Sequence, residues 1–221
     1  LRTFKGGVHP FEGKELSKSK PIKELLPQGE LVFPVSQHIG APAKPLVAKG
    51  DTVLRGQKIA EAGGFVSSPI YSSVSGTVKA IEKRRTATGD MVDSIVVESD
   101  GNFMEAGFEE TKDVTKLSKD EIIKKIQDAG VVGMGGAGFP THVKLSPKNP
   151  DQIDYIIANC AECEPYLTSD YREMVEEPEK LIGGMKIVLQ LFPNAKGVFA
   201  IENNKPDCIE KIGELIKDDD K

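Results

Sequence analysis

The sequence has no tryptophan, only three cysteines and three histidines, and 6% aromatic residues. An odd, small number of cysteines in a chain of 221 residues cannot make a closed disulfide framework, which points to a reducing, cytoplasmic compartment. No apolar run approaches the roughly 18 residues that a membrane-spanning helix needs, and the opening LRTFKGGVHP lacks the apolar stretch of a secretory signal. The expectation is a chain that neither crosses nor enters a membrane. Clustered basic charge is also missing. Residues 1–100 carry 14 basic and 11 acidic side chains, whereas 101–221 carry 15 and 23. An acidic second half argues against a nucleic-acid groove there, because phosphate neutralisation needs grouped Lys and Arg, and the change of sign suggests two domains. Turn chemistry, by contrast, is plentiful: 22 glycines and 14 prolines, well short of a low-complexity composition.

From Leu31 to Glu98 short β-type runs (LVFPV, PLVAKGDTVLRGQKIAEAGG, SSPIYSSVSGTVKAIE, SIVVES) alternate with turns at Gly50, Gly56 and Gly76, the pattern of a small all-β module. The order xGDxVxxGQxxxE then SPxxSxVSGxV resembles the barrel-sandwich hybrid of biotinyl and lipoyl carriers. Those carriers present a modified lysine at a hairpin tip, but Glu61–Pro69 reads EAGGFVSSP and holds no lysine. A structural or docking role is therefore expected. Residues 101–117 read as a linker, and 1–30 as an N-terminal extension. Ser118 with Glu121 forms a capping box ahead of Ile122, Ile123 and Ile126, predicting a helix that Gly130 ends. Strand-like Ile153–Cys160, a helix from about 170 to 191, strand-like Gly197–Glu202 and a helix from about 207 to 217 then imply a parallel α/β unit over 118–221.

Chemistry is concentrated in two places. Val131–Leu145, VVGMGGAGFPTHVKL, has four glycines in six positions followed by Phe139 and Lys144. Without Cβ atoms such a loop can bring backbone N–H groups to a phosphate. It is not a Walker loop. Gly133, Gly135 and Gly138 fit GxGxxG but follow a helix, so nucleotide binding and a tight helix-to-strand connection both stay open. The second place is the carboxyl end of the first α/β strand, Asn159-Cys160-Ala161-Glu162-Cys163-Glu164, where open α/β sheets bind ligands. Cys160 and Cys163 make a C-x-x-C, but a metal site needs four ligands, so strand-end packing is expected and no metal. His9, His38 and His142 read as turn or surface residues, Arg84 and Arg85 as a solvated turn, and the asparagines of Ile201–Asp207 as helix caps or ligand contacts.

GMGGAGFPTHVK (Gly133 to Lys144), NCAECEPYLTSDYR (Asn159 to Arg172), IENNKP (Ile201 to Pro206), TFKGGVHP (Thr3 to Pro10) and QHIGAPAKP (Gln37 to Pro45) together resemble the RnfC subunit of the bacterial Rnf complex, an ion-translocating ferredoxin:NAD oxidoreductase. The glycine and Asn-Glu motifs are shared with the flavin subunit of respiratory complex I. The resemblance implies a barrel-sandwich module followed by a Rossmann-like α/β domain for FMN and NADH. It implies a peripheral subunit on the cytoplasmic face of the bacterial membrane, held by the other Rnf subunits, that passes electrons between NAD(H) and FMN and onward to iron-sulfur clusters. Gly133, Gly135, Gly136 and Lys144 would surround the FMN phosphate and ribityl chain. Asn159, Glu162 and Cys163 would line the flavin; Phe139 and Glu164 would face the nicotinamide nucleotide. Ala161 stands where complex I has an aspartate. Two 4Fe-4S clusters are expected in a C-terminal region that this chain lacks, so it is expected to be an N-terminal part. Two other readings stay open: a flavin-dependent cobalamin reductase or proline-reductase-linked carrier with the same module, and a non-catalytic docking scaffold.

Overall fold

The computed structural model of the chain describes residues 8, 10–134 and 136–219. Its contacts group into two compact units, Leu25–Pro150 and a second one formed by residues up to Glu24 together with Asp151 onward.

Among the described residues the Leu25–Pro150 unit contains seven strands: β1 (Glu30–Pro34), β2 (Lys44–Pro45), β3 (Thr52–Val53), β4 (Lys58–Glu61), β5 (Ile70–Tyr71), β6 (Gly76–Arg85) and β7 (Met91–Ser99). They form two antiparallel sheets, β1-β7-β6-β3 and β2-β4-β5. Phe33, Val53, Val78, Ile95 and Val97 from the first sheet meet Ile59, Ala60 and Ile70 from the second in one core, so the module is a sandwich. The β6–β7 hairpin outruns the expectation, since its ladder continues through Lys83↔Asp93, Arg84↔Val92 and Arg85↔Met91. Arg84 and Arg85 therefore lie in a strand and not in a turn. Arg84 pairs with Glu82 at 2.7 Å and Glu30 at 3.2 Å. This end of the hairpin is largely solvent-facing, so no apolar alternation marks it.

The expected linker is laced to this sandwich over its first part. The Arg55 N–H donates to Met104 O at 2.8 Å, the Ala106 N–H donates to Arg55 O at 2.8 Å, and Phe103 packs on the core. Helix α1 (Lys119–Asp128) starts at the predicted capping box: Ser118 Oγ accepts from Glu121 N–H at 3.3 Å and Glu121 Oε2 accepts from Ser118 N–H at 2.7 Å. It ends at Gly130, φ +70°. Tyr71 donates its hydroxyl proton to Asp128 O at the end of α1. Helix α2 (Thr141–Lys144) follows the glycine loop. By contact, α1, the loop and α2 thus group with the sandwich, whereas the motifs group them with 118–221.

In the other unit β8 (Tyr155–Cys160) and β9 (Lys196–Ile201) pair in parallel, with Tyr155 opposite Lys196 and Cys160 opposite Ile201. The single helix expected over 170–191 is two, α3 (Ser169–Glu176) and α4 (Pro178–Leu189). Pro178 is the reason: Glu177 before it leaves the helical region at φ −135°, ψ 47°, as a residue preceding proline tends to. Helix α5 is Pro206–Ile216. Cys160, Tyr171, Met174, Cys208 and Ile212 form the core. The N-terminal extension is part of this unit: Arg172 Nη1 donates to Lys18 O at 3.1 Å and the Ile22 N–H donates to Glu176 Oε1 at 3.0 Å. Among the described residues no helix is long and apolar enough to cross a membrane.

Candidate functional site

The glycine loop is closed at its neck by an antiparallel bridge between Val132 and Pro140, with the Gly133 N–H donating to Phe139 O at 3.0 Å and the Thr141 N–H to Val131 O at 3.0 Å. Gly133 therefore spends its own N–H inside the loop and offers a ligand only the absence of a side chain. Beyond the neck Gly136 and Gly138 adopt φ +59° and +60°, conformations that favour glycine. The N–H groups of Gly136, Ala137, Gly138 and Phe139 find no acceptor among the described residues. Consecutive unpaired N–H groups around left-handed residues make an anion-binding concavity. A Cβ at Gly138 would also be crowded, 3.1 Å from Gln37 O and 3.3 Å from His38 Cα. Lys144, exposed at the end of α2, adds a cation. These residues suit a phosphate such as that of FMN. Gly135 lies outside the described residues.

His38 and His142 are buried, contrary to the surface role expected of them; His9 lies outside the described residues. His38 Nε2 accepts from the Ser68 N–H at 3.0 Å, which leaves Nδ1 to donate to Ile39 O at 3.0 Å. His142 Nε2 is 3.2 Å from Phe65 O, which a protonated Nε2 satisfies. Both histidines thus tie backbone segments together, a use that spacing alone does not reveal.

At the carboxyl end of β8, Asn159, Cys163 and Glu164 are exposed. Asn159 Oδ1 accepts from the Ala161 N–H at 3.2 Å. Glu162 behaves otherwise: it is 2% exposed, and Oε1 accepts from the Asp170 N–H at 3.0 Å and Ser169 Oγ at 3.3 Å. Its carboxylate therefore sits at the start of α3, where the helix dipole favours an anion. Lys14 Nζ lies 3.8 Å from its other oxygen and donates to the carbonyls of Glu162, Glu164 and Leu167 at 2.7, 3.1 and 2.8 Å. Glu202 accepts from buried Lys205 at 2.6 Å and from the Glu162 N–H at 3.4 Å. Lys205 holds the Glu202 carboxyl below its usual range, while burial, followed by the Glu162 charge, pushes Asp170 up. Tyr171 donates to Asp207 at 2.5 Å, and that bond drives the phenol up to about 12.

The N-cap position of α5 is Lys205, without a side-chain cap bond, and Pro206 opens the helix, so neither asparagine caps it. Lys14 and Lys205 were not legible as site residues. Each is one lysine among many, and no periodicity marks it.

Cys160 and Cys208 are buried and Cys163 is exposed. Burial raises the Cys160 thiol, with Asp170 adding to it, and raises the Cys208 thiol, with Asp207 adding to it. Since the thiolate is the reactive form, an aromatic disulfide reagent at pH 8 is expected to titrate one thiol fast and two slowly. Cys163→Ser should remove the fast phase, and three equal rates would contradict the placement.

Residues 2–102 match the family described as the RnfC barrel sandwich hybrid domain, and 126–221 match the Nuo51 FMN-binding domain. The chain is 43% identical over 218 residues to the C subunit of the Na(+)-translocating ferredoxin:NAD(+) oxidoreductase complex of Acetobacterium woodii, covering 98% of this chain and 49% of the relative. It is 45% identical over 215 residues to the C subunit of the proton-translocating ferredoxin:NAD(+) oxidoreductase complex of Clostridium ljungdahlii, covering 96% and 47%. To the C subunit of the ion-translocating oxidoreductase complex of Haemophilus influenzae it is 36% identical over 219 residues, covering 98% and 34%. The chain spans about half the length, or less, of these relatives. Two domains in tandem, each matched along its own sequence, place the chain in the RnfC family of Rnf-complex subunits.

Proposed function

We propose that this chain holds FMN and exchanges electrons with NAD(H) within a membrane-associated, ion-translocating oxidoreductase. The observation that carries this reading is the run of N–H groups at Gly136–Phe139 that find no acceptor among the described residues, followed in the sequence by exposed Lys144, inside a stretch that matches an FMN-binding domain. FMN supplies the ability to take two electrons from a nicotinamide and release them singly to one-electron carriers. The chain's part is to bind and orient. Gly133, Gly135 and Gly136 give access to the phosphate, and Lys144 offsets its charge. Asn159 and Cys163, both exposed, are assigned to the flavin ring and exposed Glu164 to the nicotinamide nucleotide. Glu162, turned inward, shapes the loop that carries Cys163 and Glu164. Phe139 is assigned to the nicotinamide nucleotide. In this reading the one-electron acceptors are 4Fe-4S clusters outside these residues, and attachment to the cytoplasmic face of the membrane runs through partner subunits.

Lys144→Ala is expected to weaken FMN binding by about 1.5–3 kcal/mol, the worth of a charge-assisted phosphate contact. Flavin fluorescence titration reads this directly, and an unchanged affinity rejects Lys144 as a phosphate ligand. Bleaching of the bound flavin by anaerobic NADH separates the electron-transfer reading from a docking scaffold, which would show neither binding nor bleaching.

A further inference from the structure

The glycine loop faces a cavity of about 420 Å³ whose opposite wall is the turn between β6 and β7, with Thr86, Thr88 and Asp90. Its volume is in the range of small-molecule sites. The walls are covalently distant but bonded into one piece through residues 35–39. The Val35 N–H donates to Asp93 O on β7 at 2.9 Å, and the Ile39 N–H donates to Ala137 O in the glycine loop at 2.9 Å. Gln37 and His38 between them pack against Gly138, where a Cβ would stand 3.1 Å from Gln37 O and 3.3 Å from His38 Cα.

The turn is itself ordered. Thr86 N–H donates to Asp90 O at 2.9 Å, Gly89 N–H to Thr86 O at 3.0 Å, and Thr88 Oγ1 to Asp90 Oδ2 at 2.9 Å, with the two threonine hydroxyls 2.9 Å apart. One carboxylate oxygen and the remaining hydroxyl lone pairs are left for a ligand. The chemistry of the walls is opposite: backbone donors on the loop, acceptors on the turn. An anion alone would not select a carboxylate as its second wall. A phosphate carrying a chain of hydroxyl groups would, as carboxylates take ribose hydroxyls in dinucleotide sites.

We propose that the β6–β7 turn of the barrel-sandwich module is a wall of the flavin site, with Asp90 and Thr88 accepting from the ribityl hydroxyls next to the phosphate. This rests on the reading that the glycine loop holds the FMN phosphate. It gives the unmodified carrier-like module a ligand-binding task, and its carboxylate disfavours a second phosphate in the same cavity.

FMN and riboflavin titrations of the protein and of Asp90→Ala, Thr88→Val and Lys144→Ala test it. Asp90→Ala is expected to weaken both ligands about tenfold and Thr88→Val about threefold, leaving the preference for FMN over riboflavin unchanged. Lys144→Ala should instead reduce that preference. Because Asp90 is exposed on a solvated turn, thermal melts of its variants should match the parent. If the parent does not bind FMN, the phosphate reading fails and this inference with it. If the parent binds and both turn variants bind equally well, only the proposal for the turn is overturned.

Discussion

Lys14→Met is expected to destabilise the unit built on β8 and β9 by about 3 kcal/mol, the usual penalty for stranding a buried charge. The methionine keeps the aliphatic stem but removes the ammonium that lies 3.8 Å from Glu162 Oε2 and bonds three loop carbonyls. Water can re-solvate the exposed carbonyls of Glu164 and Leu167. It cannot easily reach a carboxylate that is 2% exposed. Most of the loss should therefore come from Glu162, and Glu162→Gln should recover much of it in the double variant, since a neutral amide still accepts from the Asp170 N–H. Urea denaturation of the four proteins in the cycle measures the coupling. A coupling near zero would mean that the ion pair is incidental and that the carbonyl contacts alone hold the loop. The same variant should speed thiol modification of Cys160, because the loop that Lys14 pins begins at that residue.

This clamp also shows where the sequence stops being informative. Lys14 and Glu162 are 148 positions apart, and nothing in KELSKSK distinguishes the lysine that reaches Glu162 from the other two. Local rules reach further. The Ser118–Glu121 box, the Gly130 stop, and the strands at Tyr155–Cys160 and Lys196–Ile201 follow from chemistry within a few residues. Pro178 breaks the helix by the same local logic, but the apolar spacing on both sides of it reads as one continuous helical stretch. The outer end of the β6–β7 hairpin is hidden because alternation reports a buried face, and Lys83, Arg84 and Arg85 have none. The histidines are hidden for a related reason: burial of His38 follows from the Ser68 N–H presented from 30 residues away. Among site residues, the glycine motif marks the position of the loop. Which N–H groups remain free, and that Gly133 is not among the donors, is decided by the backbone.

Gly40→Ala is expected to cost the sandwich unit about 3 kcal/mol, through two effects that add. At φ +107° the residue occupies a region that L side chains rarely adopt, worth roughly 1–2 kcal/mol. In addition, a Cβ would stand 2.1 Å from Val66 O and 2.8 Å from Val66 Cγ1. The obstructing oxygen is backbone, and it already accepts from the Ala41 N–H at 2.9 Å, so it cannot move without breaking that bond. Nearby, Ser67 Oγ donates to Ala41 O at 2.8 Å and accepts from the Gly63 N–H at 2.8 Å, fixing both sides of the contact. Gly29→Ala is the control: φ is +75° there, but nothing lies within 4 Å of the new methyl, so only the conformational cost of about 1 kcal/mol remains. Urea midpoints of the two variants should differ accordingly, and equal midpoints would show that the Gly40 segment yields to the methyl. Because residues 36–39 lead directly into Gly40 and residues 36–38 line the cavity beside the glycine loop, the substitution should also weaken FMN binding under conditions where the variant is still folded, whereas Gly29→Ala should leave it unchanged.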